Sequence, residues 1–122
     1  LPLSEAGVDI FHCSQRRFWE PEFEGSDLNL AGWTRKITGK PAITVGSVGL
    51  NADFIPVPGE VTFREAEPAS LDELERRLSD NEFDLVAVGR ALISNPSWVD
   101  MVRDDRPDDI KPFRKEHLGQ LV

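Results

Sequence analysis

Two short apolar runs of this chain each end in residues that are able to bind a phosphate group. The first run covers residues 42–49, the second covers residues 85–90, and the pattern of a helix separates them. Parallel strands that end in glycine-rich turns present backbone N–H groups to phosphates. The second run adds a guanidinium group, which binds phosphate oxygens with two donors at once. The residues concerned are Gly46, Ser47, Val48 and Gly49 after the first strand, and Gly89 and Arg90 after the second.

The glycines have a second interpretation. Gly46 and Gly49 also suit a tight turn or a close strand–helix approach that has no connection with a ligand. Arg90 favours the phosphate site, because an arginine at the carboxyl end of a parallel strand suits an anion better than a core. Ser47 lacks the frame of an esterase nucleophile, so its predicted role is that of a hydroxyl donor.

The elements that must position these residues alternate between strands and helices. A buried strand is predicted over residues 8–13, followed by a helix capped by Ser26 or Asp27 and ended by Gly39. A capping box at residues 70–73 predicts the next helix, and its charges are spaced for i,i+4 pairs. Asn95 and Pro96 are read as the N-cap and the first residue of a last helix. The long connection over residues 51–69 exceeds what a helix linker needs.

This order predicts an α/β fold with a parallel sheet covered by helices. A closed (β/α)8 barrel needs eight strand–helix units and about 250 residues. Three units therefore form either a small open α/β sheet or the tail of a longer protein.

The composition narrows the possible partners. A formal charge of −8 over 122 residues, with no basic stripe, argues against nucleic acid. No apolar run has the roughly 20 residues that would span a membrane, and one cysteine indicates a reducing, cytoplasmic setting. His12, His117 and Cys13 do not have the spacing of metal ligands, so no metal is predicted.

Three blocks of the sequence strongly resemble the old yellow enzyme family of NADH:flavin oxidoreductases, which are FMN-dependent (β/α)8 barrels. The blocks cover residues 18–33, 40–50 and 84–98. They include Phe18-Trp19-Glu20-Pro21, Ile43-Thr44-Val45-Gly46-Ser47 and Val88-Gly89-Arg90-Ala91-Leu92. The resemblance places residues 1–122 at the C-terminal end of one barrel, with its sixth, seventh and eighth strands and no separate second domain.

The resemblance implies FMN as cofactor, NADH or NADPH as reductant, and activated alkenes such as α,β-unsaturated carbonyls as substrates. It assigns the FMN phosphate to Gly46, Ser47, Val48 and Gly49 with Gly89 and Arg90. The family's proton-donating tyrosine and carbonyl-binding pair come from earlier strands, and this chain contains no tyrosine. No catalytic residue is therefore assigned. Two alternatives stay open: a non-catalytic partial barrel that self-associates or pairs with the missing half, and a phosphate-binding barrel without flavin.

For the other candidate residues, a chemical role is compared with a structural role. His12 and Cys13 are predicted as packing residues of a strand. The loop residues Arg16, Arg17, Phe18 and Trp19 have two interpretations of equal weight. Either they border the substrate or the flavin edge, or Phe18 and Trp19 anchor the loop while Arg16 and Arg17 face water. Trp33 and Trp98 are predicted in the core, and the acidic residues 104–109 on the surface.

Overall fold

The computed structural model of the protein describes residues 1–53, 58–59 and 64–120. Its contacts divide the chain into two compact units. The first unit contains Leu1–Gly46 and Leu71–Ala87, and the second contains Ser47–Ser70 and Val88–Val122. Residues 54–57 and 60–63 of the predicted long connection lie outside the described residues. The assignment of the chain to a single barrel segment stays a prediction.

The first unit contains a three-stranded parallel sheet in the order β1-β2-β3. Its strands are β1 (Phe11–Ser14), β2 (Ala42–Val45) and β3 (Leu85–Val86). The predicted α/β class and parallel sheet are confirmed. Each strand is shorter than its apolar run, because the β1–β2 ladder extends only from the pair Phe11 and Ala42 to the pair Ser14 and Val45, and β3 pairs with β2 only through Leu85 and Val86.

Three helices belong to the first unit: α1 (Pro2–Glu5), α2 (Leu30–Thr38) and α3 (Asp72–Ser79). Gly39 ends α2 in the left-handed conformation, as predicted. The predicted cap at Ser26 or Asp27 is wrong, since Asn29 caps α2 by accepting a hydrogen bond from the N–H of Gly32 at 2.8 Å.

Asn29 takes the cap because its side chain is held by tertiary contacts. Its Nδ2 donates to the carbonyl of Phe18 at 2.9 Å and to the hydroxyl of Thr44 at 3.0 Å. Asn29 and Thr44 are both fully buried. A buried amide needs such partners, and these three bonds join the loop, α2 and β2.

The predicted capping box of α3 is also displaced. The helix begins at Asp72 with Leu71 at the N-cap, one residue after the predicted Ser70 cap, and the cap makes no side-chain hydrogen bond. Of the predicted i,i+4 pairs, Glu73 and Arg77 meet at 2.8 Å.

The second unit contains the helices α4 (Arg90–Ser94) and α5 (Trp98–Arg103), and the 3₁₀ helices Pro107–Asp109 and Lys115–Gly119. No helix is predicted between the third strand and Asn95, whereas α4 begins directly after Gly89, the predicted end of the third strand. Asn95 does not cap a following helix, because it ends α4 and its amide bonds the backbone of Ala91 and Lys111. The N-cap of α5 is Ser97.

The two faces of the sheet differ in exposure. Cys13 points toward α2, where its thiol donates to Thr34 at 3.4 Å, and Thr44 lies on the same buried face. The opposite face carries the register partners His12 with Ile43 and Ile43 with Leu85. His12 is exposed, so its predicted packing role is wrong: alternation along β1 places it on the open face.

The longest helix that the structure describes has nine residues. Spanning a membrane takes about 20, and no helix among the described residues is long and apolar enough to do so.

Candidate functional site

The structure distributes the six predicted phosphate-binding residues between the two units. Gly46 is the last residue of the first unit before the chain enters the second. The other five belong to the second unit: Ser47, Val48, Gly49, Gly89 and Arg90. Within the second unit, the side chains of Ser47 and Arg90 meet although 43 positions separate them in the chain.

The Arg90 guanidinium is held on several sides. Its Nη2 donates to the Ser47 hydroxyl at 3.2 Å and to the Ala52 carbonyl at 2.7 Å. The Arg90 Cζ lies over the Phe113 ring, 5.5 Å from the ring centroid. These contacts fix a cation beside a hydroxyl, which is the donor combination that suits a phosphate.

A partly buried ion pair accompanies this arginine in the second unit. The Asp53 carboxylate, itself buried, lies 3.1 Å from Arg64. Burial lowers the pKa of Arg90 from its ordinary value, and the nearby Asp53 charge opposes that shift. Two guanidinium groups and one carboxylate leave a net positive charge, because arginine stays protonated throughout the ordinary pH range. A partly buried cation attracts an anion more strongly than an exposed one does.

Backbone donors lie beside these side chains in the sequence. Among the described residues, the N–H groups of Val48, Gly49 and Gly89 donate to no protein acceptor. Buried N–H groups ordinarily find a partner, and Val48 and Gly49 are buried. A bound anion is one way to satisfy such donors.

The two glycines of the first turn are explained by protein packing. Gly46 has φ 153°, and a Cβ there would come within 2.5 Å of the Gln15 carbonyl oxygen. Gly49 has φ 73°, and its Cβ would lie 3.1 Å from the Trp98 ring. Their glycine identity therefore follows from the close-packing alternative of the sequence analysis. Gly89 differs, since a Cβ there would meet no atom within 4 Å.

The loop after β1 is anchored in part. Phe18 is buried and its ring meets Trp19 edge to face, with centroids 5.3 Å apart. Arg17 pairs with Glu20 at 2.7 Å, whereas Arg16 is exposed. Phe18 thus fits the anchoring alternative. A substrate-facing role of the other loop residues stays a prediction.

The structure also shows where the cysteine, two tryptophans and the acidic residues of the sequence analysis lie. Cys13 is buried and free, as predicted for a packing residue. Trp98 is in the core, whereas Trp33 is only half-buried. The acidic residues near α5 are exposed and pair with Arg103 and Arg106, as expected of a solvated surface.

Sequence reasoning missed four residues around Arg90: Ala52, Asp53, Arg64 and Phe113. Ala52 acts through its carbonyl, which has no signal in the sequence. Asp53 and Arg64 lie in the long connection, where charged residues are usually solvated. Phe113 is far along the chain, and its apolar character predicts only burial.

The groups around Arg90 in the second unit include donors that suit an anion: the guanidinium, the Ser47 hydroxyl and backbone N–H groups. The buried Asp53 carboxylate is the acidic group among them. In the part of the chain that the structure describes, no three His, Cys, Asp or Glu side chains cluster to hold a metal.

The chain is similar to a known protein. No family model matches the chain. A protein named NADH oxidase from Thermoanaerobacter brockii is 32% identical to it over 125 aligned residues. That alignment includes 96% of this chain and 16% of the relative, so the chain spans about a sixth of the length of that protein.

Proposed function

We propose that this chain is the FMN phosphate-binding part of an NADH- or NADPH-dependent flavin oxidoreductase of the old yellow enzyme type. Activated alkenes such as α,β-unsaturated carbonyls are its proposed substrates. The observation that carries the proposal is the Arg90 guanidinium, held 3.2 Å from the Ser47 hydroxyl in the second unit. The relative named NADH oxidase supports an oxidoreductase relation. The family resemblance of the sequence blocks supplies the flavin and the substrate class.

The proposed division of labour follows from the residues present. Arg90 binds phosphate oxygens, the Ser47 hydroxyl orients them, and the N–H groups of Val48, Gly49 and Gly89 complete the set of donors. Bound flavin supplies the hydride chemistry, while the protein contributes binding and orientation. The chain has no tyrosine. The proton donor and the groups that polarise the substrate are therefore assigned to the missing part of the enzyme.

Co-elution of FMN with the 122-residue chain tests this proposal. The purified chain is mixed with FMN and passed over a sizing column while flavin absorbance is recorded. We expect flavin to elute with the wild-type protein, and Arg90→Ala to lose at least nine-tenths of it. A lost charge-assisted contact costs about 1.5–3 kcal/mol, which corresponds to roughly tenfold or more in affinity.

Arg106→Ala is the matched control. Arg106 is an exposed arginine of the second unit that pairs with Asp109 at 3.2 Å. Arg106→Ala removes one positive charge from the second unit, as Arg90→Ala does, but it should not release flavin. Equal retention of FMN by the Arg90→Ala and Arg106→Ala proteins would contradict the proposal. Retention of a sugar phosphate with no retention of FMN would favour a barrel without flavin.

A second candidate function is that of a partial barrel that associates with a copy of itself or with its missing half. The open face of the sheet favours it, because Leu85 is 53% exposed beside the half-buried Ile43. Parallel sheets are normally covered on both faces. Strands β1 and β3 are the two edges of this sheet, and strand edges favour pairing with another chain.

Sedimentation of the chain at several concentrations tests this candidate. Leu85→Lys places a charge on the open face and should shift any self-associated species toward monomer. Val99→Lys is the control, because Val99 is 60% exposed on α5 of the second unit. Monomeric wild-type protein at all concentrations, or equal dissociation by both variants, would argue against association through this face.

A further inference from the structure

Phe113 is the least expected neighbour of the candidate site. Its side chain is fully buried, and its backbone forms a two-way bridge with Ala66. The Phe113 N–H donates to Ala66 at 2.8 Å, and the Ala66 N–H donates back at 3.2 Å. The ring is thus fixed at both its backbone and its side chain before any ligand binds.

The Phe113 ring contacts the side chain of Arg90, which is of a conformationally flexible type. An arginine side chain has several rotatable bonds, and ordering it costs about 1.5–2 kcal/mol in lost rotamer freedom. The ring centroid of Phe113 lies 5.5 Å from the Arg90 Cζ, within the range of a cation–π interaction. The Ala52 carbonyl accepts from Arg90 Nη2 at 2.7 Å. Together, the ring and the carbonyl hold the guanidinium in one orientation.

We infer that Phe113 is a positioning residue, which pre-orients the Arg90 guanidinium for an incoming phosphate group. The inference rests on the proposed function, since it concerns how the same arginine meets its ligand. Arg90 touches the phosphate, whereas Phe113 acts through Arg90. Pre-ordering removes an entropic cost from binding, so the predicted effect is on affinity for phosphate-bearing ligands.

The test uses the full chain and two readouts. The first is the hydrogen-exchange rate of the Arg90 Nε–H by NMR without ligand, with the signal assigned by its loss in Arg90→Lys. The second is the dissociation constant for FMN. For Phe113→Leu we expect exchange at least tenfold faster and FMN binding about tenfold weaker, since a partly desolvated cation–π contact contributes about that factor.

Two further variants separate positioning from stability. Phe83→Leu removes a similarly buried ring from the first unit, and should lower the melting temperature without changing either readout. Phe113→pentafluorophenylalanine keeps the ring shape but reverses its electrostatic face, so it should reproduce the Phe113→Leu effects even where Phe113→Leu fails to fold.

The outcomes distinguish this inference from the proposed function. Unchanged exchange and affinity in the fluorinated protein, or equal losses in Phe83→Leu, would overturn the positioning role while leaving the phosphate site intact. Failure of the wild-type chain to bind FMN would contradict the proposed function instead. In that case the exchange rates still decide whether Phe113 orders Arg90.

Discussion

Gly46 lies where β2 ends, and its backbone permits the turn that leads to Ser47. Its φ of 153° and the 2.5 Å approach of a Cβ to the Gln15 oxygen leave no room for a side chain. The N–H of Phe18 donates to the Gly46 carbonyl at 3.0 Å, which joins this turn to the loop after β1. Position 46 was predicted to bind a ligand, but the packing of the turn by itself requires glycine there.

Gly46→Ala should destabilise the protein by roughly 2 kcal/mol or more, because it combines backbone strain with a collision against a backbone oxygen. Gly25→Ala is the control. Gly25 has φ 81°, but a Cβ there meets no atom within 4 Å, so only the strain of about 1 kcal/mol remains. Urea unfolding measures both free energies. Equal losses would show that the Gln15 contact relaxes at little cost.

At the scale of elements, Arg77 joins helix α3 to the loop after β1. It is 4% exposed, and its guanidinium donates to the carbonyl of Asp27 at 2.8 Å and to that of Trp19 at 3.2 Å. Glu73 and Glu82 neutralise its charge, at 2.8 and 3.2 Å. One buried cation thereby ties two ends of a long loop to a helix.

Arg77→Ala should cost about 3–5 kcal/mol of folding free energy, since it removes the cation from a buried pair and leaves carbonyl groups without donors. Arg76→Ala is the control, because it removes the same positive charge from an exposed position of the same helix. Arg76 pairs with Glu73 and Asp80, so its loss should cost much less than the loss of Arg77, because solvent screens exposed ion pairs. Chemical unfolding compares the two, and similar values would refute the anchoring role of Arg77.

Helix α3 should also weaken in acid. The hydrogen bond from Arg76, aided by Arg77, lowers the pKa of Glu73 from 4.5 to about 2, against a smaller opposing effect of burial. A lowered pKa means that ionised Glu73 stabilises the fold above about pH 4.5, and that this contribution disappears as the pH falls toward 2.

Glu73→Gln should therefore lower the melting temperature at pH 7 and flatten its decline between pH 4.5 and 2. Glu75→Gln is the comparison, because Glu75 is exposed on the same helix and forms no ion pair among the described residues. Melting curves across this pH range measure both. An unchanged acid slope in the Glu73→Gln protein would show that its ion pairs do not stabilise the fold.

At the scale of the whole molecule, local patterns predicted the elements better than their ends. The valine- and isoleucine-rich runs predicted the three parallel strands, and Gly39 predicted the end of α2. The caps were misplaced because tertiary contacts decide them. Asn29 is held by Thr44 and Phe18, and Asn95 by Lys111.

The candidate site was predictable only in part, for a related reason. Ser47 follows β2 and Arg90 begins α4 after β3, so the order of the predicted strands already indicated that these two residues could meet. Ala52 and Phe113 complete the surroundings of Arg90 through a carbonyl and a buried ring. Neither group leaves a pattern in the sequence. The family resemblance and the closed barrel stay predictions at this scale.

The measurement that tests the central claim most directly compares the affinities of this chain for FMN and for riboflavin, by calorimetry in the same buffer. The two ligands share a flavin ring and differ in the phosphate. We predict that FMN binds at least tenfold more tightly, and that Arg90→Ala removes this difference. Equal affinities for FMN and riboflavin in the wild-type chain would contradict a phosphate site at Ser47 and Arg90.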